Sequence, residues 1–289
     1  MLLTGQPYDA GPTPRYCDDP AVNDLALRRT VTAHLEIDVV EPALLALQIA
    51  VAGPVPDERL TITRNGEPVP VREVAAGHGG RAHVWDSSVG PLVIDYEARV
   101  VGVRKVPHGG ESDLLEYRRP SRYCPSDKLL AIAAAEFDGI TGGELVTAVG
   151  AWVYGRLFYT GGSSGPTDDA IDTLLLGAGV CRDFAHLTLA LLRARDVPAR
   201  LAAVYAPGLS PMDFHAVVEA WVDGAWRLVD ATRLAPRSSL LRIATGRDAA
   251  DTAFLTTHGG IVNLTGIAVT ATADPFPNDP DPAAVVVLG

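Results

Sequence analysis

The chain has 289 residues, is 47% hydrophobic and carries a formal charge of −11. It is long enough for one large or two modest cored domains, and it has no large basic surface to hold nucleic acid or an anionic membrane. The three cysteines, Cys17, Cys124 and Cys181, are odd in number, far apart and without a C-x-x-C pair; that argues against a disulfide scaffold or structural zinc and leaves at least one free thiol.

Residues 1–28 are rich in Pro, Asp and Gly and show no periodicity, so they read as an N-terminal arm without regular structure. They lack a basic start, apolar core and small-residue cleavage site, and no apolar run in the chain reaches about 18 residues; a cytoplasmic location is the expectation. Across 29–106 the period is two. Leu35, Ile37 and Val39 alternate with Glu36 and Asp38, and Leu92, Ile94, Tyr96 and Ala98 alternate with Asp95, Glu97 and Arg99. Between these runs Asn65-Gly66 marks a tight hairpin. Short alternating strands broken by turns predict an antiparallel β-sandwich.

Helical signals begin beyond residue 107 and, with the strands after them, fill a second region, 107–245. Ser126 is placed to cap a helix running to about Phe137. Thr141 and Glu144 form a capping-box signature for a longer helix to about Tyr159, and Thr167 is placed to cap a short one to about Leu176. Gly177 and Gly179 break that helix, and the next runs from about Cys181 to Arg195 with Phe184, Leu187, Leu191 and Ala194 on one stripe. Strands are expected at Arg200 to Tyr205, His215 to Val222 and Trp226 to Ala231, the last two joined by Asp223-Gly224. Residues 246–289 hold a further strand candidate, Ile261 to Thr270, and a Pro/Asp-rich stretch before Val285 to Leu288, and should pack on one of the two preceding regions.

Cys181 stands at the start of its helix, where free backbone N–H groups and the positive end of the dipole favour a thiolate. If Asp223-Gly224 is a two-residue type I′ turn, Val222 pairs with Ala225, Thr232 falls opposite His215, and Asp230 falls opposite Val217. His215 and Asp230 are then diagonal neighbours on one face, about 7 to 8 Å apart at the backbone, within reach of a carboxylate–imidazole hydrogen bond. Alone, Cys181 reads as a small buried hydrophobe, His215 as structural and Asp230 as a turn former. Together they have the logic of a nucleophile, a general base and an orienting acid. Cys181 and His186 with Asp183 do not make a metal site, since five residues on a helix point the first two apart, and the glycine runs lack phosphate-loop spacing. No cofactor or metal is expected. Cys124, Trp152 and His186 read as packing residues.

Gly179-Val180-Cys181-Arg182-Asp183-Phe184-Ala185-His186, Asp213-Phe214-His215-Ala216 and Leu228-Val229-Asp230-Ala231-Thr232 resemble, in order, the three catalytic motifs of the transglutaminase-like superfamily. The resemblance extends to Pro120-Ser121-Arg122-Tyr123, Gly162-Ser163-Ser164 and Ala170-Ile171-Asp172-Thr173. It also takes in Gly246 to Asp251, which puts Arg247 or Asp248 forward as a residue lining the cleft. The chain looks like bacterial members with a β-rich N-terminal region. The resemblance implies an α+β chain in which an N-terminal antiparallel β-sandwich precedes a papain-like core of helices packed on an antiparallel sheet. It implies Cys181 as nucleophile, His215 as base and acid, and Asp230 as orienting residue. Where many relatives have Trp two residues after the histidine, this chain has Val217. The expected reaction is hydrolysis of a peptide, protein or small amide through a thioester. Transglutaminase-type transfer from Gln to an amine is the alternative, and a catalytically silent binding module on the same scaffold is a second.

Overall fold

A computed structural model describes residues 27–102, 109–279, 281 and 284–288; the predicted arm up to residue 26, with Cys17, lies outside the described residues. Seven strands come first: β1 (Arg28–Val39), β2 (Ala43–Leu47), β3 (Asp57–Arg64), β4 (Glu67–Pro68), β5 (Arg72–Ala75), β6 (Arg81–Ser87) and β7 (Gly90–Val101). The alternation has its expected cause: Leu35, Ile37 and Val39 pair with Ile94, Leu92 and Gly90, and the apolar side chains are buried on one face. Asn65 and Gly66 both have positive φ and join Arg64 to Glu67 as a two-residue turn.

The middle of the chain follows with α1 (Glu111–Glu116), α2 (Leu130–Glu136), α3 (Gly142–Arg156), β8 (Phe158–Tyr159), α4 (Ala170–Leu176), β9 (Ala178–Gly179) and α5 (Cys181–Ala194). Three cap predictions need correction. Ser126 is buried in a 3₁₀ turn and caps nothing; α2 starts four residues later. Thr141 holds the N-cap position of α3 but its side chain makes no capping bond. Asp169, not Thr167, caps α4, accepting from Ile171 and Asp172 N–H while the Asp172 carboxylate accepts from Asp169 N–H. The helix expected to reach Tyr159 ends at Arg156, because Phe158 and Tyr159 pair in parallel with Ala178 and Gly179.

Strands β10 (Ala199–Tyr205), β11 (Phe214–Val222), β12 (Ala225–Val229) and β13 (Leu241–Gly246) form one antiparallel sheet in the order β12-β11-β10-β13. The first three match the predicted strands, with β12 ending two residues early. β13 gives no strand signal in the sequence, its buried Leu-Arg-Ile-Ala run showing no alternation. α5 lies on this sheet and is buried from Asp183 to Arg193, not along one stripe only, since α2, α3 and α4 pack around it. Tyr205 in β10 and Leu241, Ile243 and Ala244 in β13 join the apolar core of the first seven strands.

The chain then returns. After α6 (Ala249–Thr252), β14 (Leu255–His258) pairs with β2 and β15 (Val262–Asp274) pairs with β1 along its whole length. They complete two sheets, β15-β1-β7-β3-β4 and β14-β2-β6-β5, whose inner faces share one core. Val285 to Leu288 are not a strand, although Leu228 N–H donates to the Val286 carbonyl. Among the described residues no helix is long and apolar enough to cross a membrane.

Candidate active site

Cys181 is the first residue of α5, so its N–H has no acceptor within the helix. The approach to it is tightly specified. A Cβ on Gly179 would come within 2.6 Å of the Asp183 Cβ, so only glycine lets the chain pass. Asp183, fully buried, accepts from Val180 N–H at 2.8 Å and from Ser164 Oγ at 2.5 Å. Arg182 donates to the Asp183 carboxylate at 2.9 Å and to the Gly165 carbonyl at 2.7 Å. The loop around 161–165 is thereby strapped to the start of α5.

The parallel β8–β9 pair brings Tyr159 near Cys181. Phe158 N–H donates to the Gly177 carbonyl and Thr160 N–H to the Gly179 carbonyl, each at 2.9 Å. Tyr159 stands near Cys181, and burial of its hydroxyl, reinforced by the sulfur, pushes it up to about 12. Tyr159 therefore stays a proton donor at neutral pH. Sequence reading missed it because it fell within a span assigned to a helix, and two-residue strands leave no periodicity to detect.

His215, near the start of β11, is buried, and its Nε2 donates to Asp230 Oδ2 at 2.9 Å. Val222 pairs with Ala225 across Asp223-Gly224, both at positive φ, and the ladder runs to Val218 opposite Val229. Asp230, one residue further on, thus lands on the face of His215, as the hairpin count predicts. Asp230 Oδ1 accepts from Thr232 N–H at 2.9 Å and Thr232 Oγ1 at 2.7 Å, which fixes its orientation. With Asp230 as acceptor, the ring proton sits on Nε2. Nδ1 has no hydrogen-bond partner among the described residues, and His215 lines the same cavity as Cys181. Burial disfavours the imidazolium, but the Asp230 charge and hydrogen bond, helped by Cys181, outweigh it and raise His215 to about 10. Burial likewise opposes the Asp230 carboxylate, and His215 with Thr232 overcomes this and holds its pKa below the ordinary value. The three predicted residues are brought together at one point.

The remaining candidates lie elsewhere. Trp152 packs edge-on to Phe137 and donates to Glu136. His186 stacks on Tyr123 at 5.1 Å and accepts from Ala249 N–H, with burial lowering it to about 4. Burial pushes Cys124 up to about 12, an inert thiol. Asp248 does not line the cleft; it is buried, accepting from Tyr123 N–H and capping α6. Arg247 pairs with Asp251 outside the cleft. No group of three or more His, Cys, Asp or Glu suited to a metal occurs among the described residues. Cys181 and His215 open onto a cavity of about 390 Å³.

Residues 134–231 match the family model of the transglutaminase-like superfamily. A crystal structure of a candidate cysteine protease from Cytophaga hutchinsonii is 32% identical, covers 86% of this chain and 91% of its own, and superposes with a TM-score of 0.77. A protein of Mycobacterium leprae, ML0607, described as uncharacterised, is 28% identical over 151 residues, 48% of this chain and 53% of its own. The chain spans about half the length of that curated relative. With its helices packed on an antiparallel sheet in the papain-like manner, the chain belongs to the transglutaminase-like superfamily.

Proposed function

We propose that this protein is a cysteine-dependent hydrolase of peptide or amide bonds, with Cys181 as nucleophile, His215 as general base and acid, and Asp230 as the residue that orients the ring. The observation that carries the reading is the bond from His215 Nε2 to Asp230 Oδ2, which leaves a buried Nδ1 without a partner among the described residues on the cavity that Cys181 also lines. With the thiol's proton carried on Nδ1, the sulfur attacks the carbonyl carbon, forming the C–S bond. The oxyanion takes hydrogen bonds from Cys181 N–H, which has no acceptor within its helix, and from the nearby Tyr159 hydroxyl. His215 returns its proton to the leaving nitrogen as the C–N bond breaks. A water then gives a proton to Nδ1, its oxygen attacks the thioester, and the C–S bond breaks to release the acid. Likeness to a candidate cysteine protease along nearly its full length supports water as the acceptor.

The test is product analysis with peptides, one containing Gln, in the presence and absence of a primary amine. Hydrolysis predicts new carboxylates whether or not the amine is present, and their loss in Cys181→Ala. An amine-linked product in place of the acid would assign the chain to acyl transfer instead. No turnover of any amide by wild type would favour the silent scaffold.

A further inference from the structure

The cavity beside Cys181 and His215 is built asymmetrically. Its floor is apolar: Leu201, Ala203 and Ile243 from the sheet, with Phe214 and Phe254 stacked at 5.3 Å. Its volume of about 390 Å³ falls within the ~300–1,000 Å³ of sites that enclose a small ligand or a substrate side chain. Two charged side chains reach it besides His215. Arg182 is neutralised by the buried Asp183 and held by the 161–165 loop. Asp213 is different. Two residues before His215 and open at the rim, it accepts only the N–H of its neighbour Phe214, at 2.7 Å, and has no cation partner among the described residues. Desolvation on its cavity side raises its carboxyl above the ordinary value, and His215 pulls it back in part. His215 is itself paired with Asp230, so among the described residues no cation is left to pair with the acid at the rim.

We propose that this pocket takes an apolar side chain while Asp213 receives the ammonium group of the same residue, so that the acyl donor is a peptide with a free, apolar amino-terminal residue. The inference rests on the reading of Cys181 as nucleophile, because that reading places the scissile carbonyl beside the pocket. An ammonium at Asp213 gains a charge-assisted bond at a partly desolvated carboxylate, and the apolar floor supplies area without competing polar groups. A substrate with a blocked amino terminus would leave Asp213 facing a neutral amide.

Binding separates this inference from the catalytic reading. Leucinamide and N-acetylleucinamide are titrated calorimetrically into the full chain, wild type and Asp213→Asn, and peptides beginning with Leu are assayed for cleavage with the terminus free or acetylated. The expected result is that leucinamide binds wild type at least about tenfold more tightly than it binds Asp213→Asn, and more tightly than its acetylated form by a similar factor, as for a hydrogen bond between charged groups. The free-ended peptide should be cleaved correspondingly faster. Equal affinity of wild type for the two amides, or no saturable binding of leucinamide, would overturn the proposal, and this comparison does not depend on how Asp213→Asn folds. Incorporation of leucinamide into product as an acyl acceptor would also overturn it. Binding that depends on Asp213, with no peptide of any kind cleaved, would leave the pocket standing and remove the hydrolase.

Discussion

The buried His215 ring is held in one orientation: Nε2 is bound by Asp230, Asp230 is bound by Thr232, and Nδ1 is left without a partner among the described residues. The raised pKa has a measurable consequence. A histidine at 6.5 when unfolded and about 10 when folded adds stability that is fully present below pH 6.5 and is lost as pH rises through 10. Thermal midpoints measured from pH 6 to 10 should therefore fall more steeply for wild type than for His215→Gln, and parallel curves would contradict the pairing with Asp230. Asp230→Asn keeps the shape but loses the charge, so kcat should drop by orders of magnitude with little change in KM, as for an orienting acid. Tyr159→Phe removes one oxyanion donor and should lower kcat about 100-fold; an unchanged kcat would exclude the phenol from that role.

The hairpin β11–β12 and the start of α5 do most of the positioning, and they were unequally readable from sequence. Asp223-Gly224 fixes the register by turn type alone, so the partnership of His215 and Asp230 followed from counting residues. The helix start at Cys181 was equally clear from the glycines before it. The β8–β9 pair and the Asp183–Ser164–Arg182 strap were not readable, because they depend on contacts between short segments remote in sequence. Gly179→Ala probes that construction directly: the added methyl meets Asp183 at its Cβ, so the start of α5 must shift. Nearly complete loss of activity is expected, with a smaller loss of stability, and near-normal turnover would show that the strap does not set the site. The caps failed for another reason. Ser126, Thr141 and Thr167 all carry the right hydroxyl for an N-cap, but a side-chain cap forms only where packing leaves the hydroxyl facing the helix end.

Across the molecule, the sheet that carries His215 packs on α5 and also contributes to the sandwich core, and a buried charge cluster ties its strands together. Glu219 in β11 accepts from Arg200 in β10 at 2.8 Å and from Arg242 in β13 at 2.6 and 2.7 Å, while Arg200 lies over the Trp226 ring at 4.0 Å. Burial works against the Glu219 charge, yet the two arginines prevail and bring it to about 2, so its contribution is present above pH 4.5 and lost as pH falls through 2. Glu219→Gln leaves two buried guanidiniums without their carboxylate and should cost about 3–5 kcal/mol in denaturant unfolding; a change below about 1 kcal/mol would contradict this account of the cluster. The link from sheet to sandwich runs through Tyr205, whose hydroxyl donates to the Ile49 carbonyl, and Ala52 N–H, which donates to the Arg242 carbonyl. The sandwich itself was only partly visible in the sequence. Its internal strands alternate plainly, but the strands that pair with β1 and β2 at its edges come from 255–274, and pairing across such a separation leaves no local signal.

The sharpest test of a joined Cys181, His215 and Asp230 is alkylation with iodoacetamide, followed by mass mapping of the labelled cysteines in wild type, His215→Ala and Asp230→Asn. In native wild type, Cys181 should be labelled while buried Cys124 stays unmodified, and both substitutions should slow labelling of Cys181, His215→Ala the more. Labelling of Cys181 at the same rate in all three proteins, or a Cys181 that stays inert in the folded wild type, would contradict the account.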